Sequence, residues 1–272
     1  MAASNACRLA TGVHHVNMRV ARHVGRLLRI ARLEGSALIH SRQASFALGY
    51  AIAFGLWRAL ATSLVTDPAH SPPWAMLALG GPPANATFIV VLEWISLPAA
   101  FIVFVGEPQT GRWFGWSRFV FVRSSNRFSW WVGQVMARIT AACIYGFLVV
   151  GITWAAGSAG ADARVGSVQG NWTWVVAGIV FMTVWYDTLF VAVSSVFRNA
   201  TISVAAVIGA GMILIELASR GMVRAALLGP ALGAILGSEV THGQLWLLAV
   251  ITVCVVFMAN VVAYLRFTGE VV

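Results

Sequence analysis

Two arginines and two carboxylates stand deep inside apolar runs of this 272-residue sequence: Arg58, Glu93, Arg138 and Asp187. A charge in apolar surroundings is costly unless paired, so each demands a partner or a pathway. Two chemistries fit. Arginine–carboxylate pairs pin neighbouring helices in register, or buried acids carry protons for a coupled transporter, with Glu93 and Asp187 as the titrating groups. A neighbouring guanidinium favours the charged carboxylate and opposes the second use. Another chemistry-bearing stretch lies between two apolar runs, from Gly106 to Gly133: GEPQTGRWFGWSRFVFVRSSNRFSWWVG. It sets Arg112, Arg118, Arg123 and Arg127 against one acid, Glu107, with Trp113, Phe114 and Trp116 between the first two arginines. An aromatic centre with a charged rim is the composition of a protein-docking surface.

The elements that must position these residues are membrane helices. The chain is 59% hydrophobic and 10% charged, where soluble domains carry about 25% charge. Its mean hydropathy is +0.81. All 18 basic residues are Arg, giving a net charge of +9. They cluster at the ends of apolar runs, which points to lipid headgroups and not to nucleic acid. Without Lys there is no Walker A loop and no Schiff-base lysine, so any ATP is bound by another chain. Cys7, Cys143 and Cys254 lie far apart, a spacing that suggests neither a disulfide framework nor a thiolate metal site. No HExxH, GxSxG or acidic metal cluster appears, which leaves an intramembrane hydrolase little support.

The chain reads as six spans. The first residues hold no apolar core of a secretory leader. Instead Val16–Leu33 is an amphipathic helix, with Val20, Val24, Leu27, Leu28 and Ala31 on one face and Arg19, Arg22, Arg26 and Arg29 on another, suited to the membrane interface. The spans are Phe46–Val65, Ala86–Val105 with Pro98 as a kink, Trp131–Ala156 opened by a tryptophan pair, Trp172–Phe197, Thr201–Ala218 and Leu247–Tyr264. A tight turn at Arg198 and Asn199 joins the fourth and fifth. Between the last two, 222–237 is apolar but broken at Gly229–Pro230; with Gly233 and Gly237 it reads as a re-entrant pair of half-helices, with an external interfacial helix or a seventh span as the alternatives,. Arginine bias puts both termini and the Gly106–Gly133 segment on the cytoplasmic side. Counting 1.5 Å per residue, Arg58 and Glu93 lie about 13 and 10 Å below the outer face, and Arg138 and Asp187 about 10 and 13 Å above the inner one, so each two can pair. Glu216 has Arg220 one turn on, or Arg224,.

The segment also invites a comparison. An acid inside span two, a glycine four residues on, alternating aromatic and apolar residues, two arginines about a polar turn, aromatics and a glycine follow in order: Glu107, Gly111, Arg123, Arg127, Trp130, Trp131 and Gly133. That order resembles the membrane subunits of type-two ABC export permeases, and the likeness extends over nearly the whole chain. Gln134 stands where that family commonly has Lys. The resemblance implies that the loop forms a coupling helix docking on a separate ATP-binding subunit, which holds ATP and magnesium, while this chain is not itself an enzyme and binds no cofactor. It also implies a dimer, homodimeric or with a similar chain. The expectation is thus an all-α polytopic protein of the cell (inner) membrane, with residues 1–44 as a cytoplasmic arm and 45–272 as one permease domain. Its alternative is the proton-coupled carrier using Glu93 and Asp187.

Overall fold

Inside a bilayer every backbone N–H and C=O must find a partner within its own segment, so long apolar runs become helices. The computed structural model describes residues 41–65, 88–113, 127–160, 172–219 and 242–269, with a few positions between 24 and 36. Among these there is no strand, and the long helices are α1 (Arg42–Val65), α2 (Phe88–Phe101), α3 (Arg127–Gly160), α4 (Trp172–Phe197), α5 (Ala200–Ser219) and α6 (His242–Gly269). Arg42–Ala61, Arg127–Ala156 and Val176–Phe197 are long and apolar enough to cross a membrane, with shorter apolar stretches at Ala200–Leu214 and Val253–Thr268. The chain is an all-α membrane protein.

Several helix ends differ from the span readings. α2 does not stop at Val105: Phe88–Phe101 passes into a π-turn at Ile102–Gly106, closed by the Glu107 N–H donating to Ile102 O, and 107–113 continue helically. Pro108 accounts for the break. Its ring displaces the carbonyl four residues back and offers that carbonyl no N–H, so the backbone widens by one residue before it. α3 likewise starts at Arg127, so both flanks of the Gly106–Gly133 segment are helical and only 114–126 lie outside the described residues.

Contacts set the directions. Arg58 meets Glu93 and Phe46 stacks on Phe104, so α1 and α2 are antiparallel. Arg138 meets Asp187, which opposes α3 and α4. The turn between α4 and α5 is Arg198–Asn199 alone: Arg198 takes a left-handed backbone (φ 53°), and Asn199 Oδ1 caps α5 by accepting from the Ile202 N–H at 3.1 Å,. Helix ends therefore gather Arg42, Arg112, Arg127, Arg198 and Arg266 at one end of the bundle, while toward the other end Arg58 is the one arginine among the described residues.

α4 lies at the centre, packed against α3, α5 and α6. Its Ile179, Met182, Thr183, Tyr186 and Phe190 are essentially buried. The polar second half of this helix faces protein. Thr183 and Thr188 donate to the carbonyls of Ile179 and Val184, so their hydroxyls are satisfied on their own helix,. Outward faces are apolar, as at Leu56, Phe147, Ile213 and Phe257. Where α4 meets α5 and α2, Gly211 leaves no room: a Cβ there lands on Tyr186 Oη and on Ile95. Gly211→Ala is expected to destabilise the bundle by about 1–3 kcal/mol through overpacking, read as a lower melting midpoint in detergent.

α1 and α3 run parallel but out of step. Gly55 faces Ile152 and Thr153; stepping back thirteen residues on both helices brings Arg42 level with Ile139 and Thr140. α3 begins at Arg127, twelve residues earlier than that level, and so overhangs α1 by about 18 Å at 1.5 Å per residue.

Candidate functional site

At the base of that overhang the buried charges assemble around Arg138. Its Nε and Nη2 donate to Asp187 Oδ2 and Oδ1 at 2.7 and 2.6 Å, a two-pronged match of fork to carboxylate,. Nη1 donates to Thr110 Oγ1 at 3.0 Å, and Nη2 also reaches Gly106 O at 3.3 Å. The Thr110 hydroxyl in turn donates to Gly106 O at 2.8 Å. The guanidinium face lies over the Trp113 ring, 4.6 Å from its centroid, a cation–π contact strengthened by desolvation. Both charged side chains are almost wholly shielded, with 5% and 6% exposed.

The π-turn makes this packing possible. Gly106 ends it, and a Cβ at that position would lie 2.7 Å from Asp187 Oδ1 and 3.0 Å from Arg138 Nη2. A residue without a side chain lets the ion pair rest directly on the α2 backbone. One guanidinium thus ties together α2, α3 and α4.

Trp113 requires a correction. As part of an exposed docking surface it should face solvent, yet it is 3% exposed. Its Nε1 donates to Gln134 Oε1 at 2.9 Å, and its ring packs edge-on to Trp130, Trp131 and Phe267. Trp131 is equally buried, so it is a core residue and not a headgroup anchor. Along the bundle Arg138 stands level with the start of α1, one residue before Ile139. Gly111 and Arg112 do face outward, and Glu107 is partly exposed. Phe114, Trp116, Arg118, Arg123 and the re-entrant Gly229, Pro230, Gly233 and Gly237 lie outside the described residues, as do the side chain of Glu216, Arg220 and Arg224.

Sequence reasoning missed Gly106, Thr110 and Gln134 as members of the site. Gln134 carried a signal, as the position departing from the permease pattern. A glutamine offers the carbonyl that the buried indole needs, whereas Lys has only donors and would set a second cation one turn from Arg138. Asn260 and Thr188 join Arg138, Asp187 and Trp113 around a cavity of about 10 Å³, roughly the space of one water molecule.

The second pair sits toward the other end. Arg58 Nη1 reaches Glu93 Oε1 and Oε2 at 3.2 Å each, Trp57 Nε1 donates to Oε1 at 2.9 Å, and the guanidinium lies 5.3 Å from the Trp94 ring centroid. It is more open, with 13% and 21% of the two side chains exposed.

Comparison with protein-family models, with curated proteins and with solved structures finds no match to this chain. Its chemistry must therefore be argued from the site. Among the described residues no group of His, Cys, Asp or Glu is placed to hold a metal ion. Both acids spend their oxygens on guanidinium and indole donors. Through Trp113 and the Arg138–Asp187 pair, the helical stretch after the π-turn is joined to α3 and α4.

Proposed function

We propose that this chain is the membrane subunit of an ATP-driven export permease, with six spans, both termini cytoplasmic in the cell (inner) membrane, and a second copy or similar chain completing the path. A separate ATP-binding subunit, carrying ATP and magnesium, docks on the overhanging end around 106–130. The observation that carries this reading is the unbroken helical path from the π-turn to Trp113 and its seat on Arg138 and Asp187. A push on 114–126 travels along it into two further spans, which is the coupling such a motor needs. The collection of arginines at that end supports a cytoplasmic orientation,.

Within this reading the docking contact comes from the exposed Arg112 and the loop after it, while Trp113 transmits. Arg112→Glu is expected to leave folding within about 0.5 kcal/mol, as surface changes do, and to weaken binding of the ATP-binding subunit at least tenfold, about 1.4 kcal/mol. Detergent melting and titration of the purified subunits read the two effects. Unchanged affinity would count against the overhang as the docking end. Engagement of both buried acids by arginine weighs against the proton-coupled alternative.

A further inference from the structure

We propose that the groove between α1, α2 and α3 holds one acyl chain of an anionic phospholipid from the arginine-rich leaflet. The groove has a volume of about 200 Å³, below the roughly 300 Å³ at which drug-sized sites begin. Its floor is Ala47, Phe101, Val105 and Ala137, all buried, and its walls include the exposed Leu48 and Ile144. It therefore opens sideways, on the face that α1 and α3 turn toward lipid. Two polar side chains of the α3 wall are already engaged: the Thr140 hydroxyl donates to Met136 O at 2.8 Å and the Tyr145 hydroxyl to Leu97 O at 3.1 Å. An apolar slot of this size takes a length of hydrocarbon.

Charge names the headgroup. Arg42 opens α1, two residues before the groove-lining Ala44, and is exposed. α1 contains no acidic residue, and its N-terminal end carries the positive pole of the helix dipole. A phosphate at the level of Arg42 would have its chain descending past Ser45 and Leu48. Val24, Leu28 and Leu33 of the chain's own amphipathic arm are 48%, 63% and 65% exposed, so these three side chains do not fill the groove. An acyl chain here would wedge between α1 and the π-turn, lining Val105 on one side while Arg138 holds Gly106 on the other.

This inference rests on reading α1 as a membrane span, and not on the ATP-binding partner. The full chain would be reconstituted in phosphatidylcholine vesicles with a trace of phosphatidylglycerol carrying a diazirine at mid-chain, irradiated, and its adducts mapped by peptide mass spectrometry. Adducts are expected to concentrate on Leu48, Ile144 and Leu148. Ala141→Phe and Ala44→Phe, each filling the slot from a different helix, should reduce them at least tenfold while Phe257 on the far surface labels as before. Arg42→Gln should lower labelling by the phosphatidylglycerol probe severalfold, and by a phosphatidylcholine probe little. Even labelling of all outward faces, or undiminished labelling in whichever filled variant folds, would overturn the site. Equal labelling by both probes would overturn its headgroup preference. Release of the chain from vesicles by alkaline carbonate would instead defeat the span reading itself.

Discussion

Asp187→Ala is expected to destabilise the folded bundle by about 3–5 kcal/mol, the cost of leaving one member of a buried pair without the other. The carboxylate takes two donors from Arg138, and both side chains are about 95% shielded. Its loss leaves a guanidinium stacked on Trp113 with no counter-charge, touching only Thr110 and Gly106 O. Asp187→Asn retains one acceptor and should cost less. The double change Arg138→Met with Asp187→Leu should lie closer to the native protein than either single loss, since a buried pair replaced by apolar groups of similar volume is often nearly neutral. Thermal unfolding in detergent, followed by the fluorescence of the 12 tryptophans, separates these cases. A shift for Asp187→Ala no larger than that for Glu93→Ala would contradict the ranking, because the Arg58–Glu93 pair is the more open of the two.

Trp113→Ala should be comparably severe, about 3–5 kcal/mol for removing a large buried aromatic. Three further losses accompany the cavity: the cation–π contact to Arg138, the edge contacts to Trp130, Trp131 and Phe267, and the partner of the Gln134 carbonyl. Trp113→Phe separates them. It keeps a ring over Arg138 but leaves the Gln134 carbonyl buried and unpaired, at about 1–3 kcal/mol. The same melting assay tests both, and a phenylalanine variant as stable as the native chain would remove the indole hydrogen bond from the site's energetics. Where export can be assayed, Trp113→Phe should also retain docking while slowing transport, since it loosens the helix end without changing its exposed face.

Much of the helical framework is legible from length and hydropathy, because a bilayer leaves the backbone few options. α4 and α5 come within a residue of their expected ends, set by the polar Arg198–Asn199 between two apolar runs. The meeting of Arg138 with Asp187, and of Arg58 with Glu93, follows from relative depth on antiparallel neighbours alone. Tryptophans next to arginines read equally as headgroup anchors or as an aromatic core around a buried cation, and composition does not distinguish the two for Trp113 and Trp131. The extension of α2 is obscured by Pro108, which normally marks a helix boundary; here it yields a π-turn and the helix resumes. Gly106 and Thr110 entered the site only through that turn, whose extra residue no periodicity reveals.

The claim that this chain couples to an external ATPase is tested most directly by purifying the tagged full-length protein from native membranes in mild detergent and asking what accompanies it. The account expects a roughly stoichiometric second chain that binds and hydrolyses ATP, retained by Trp113→Phe and lost with Arg112→Glu. Recovery of the chain without any ATP-binding partner, under conditions where its native melting transition is preserved, would contradict it.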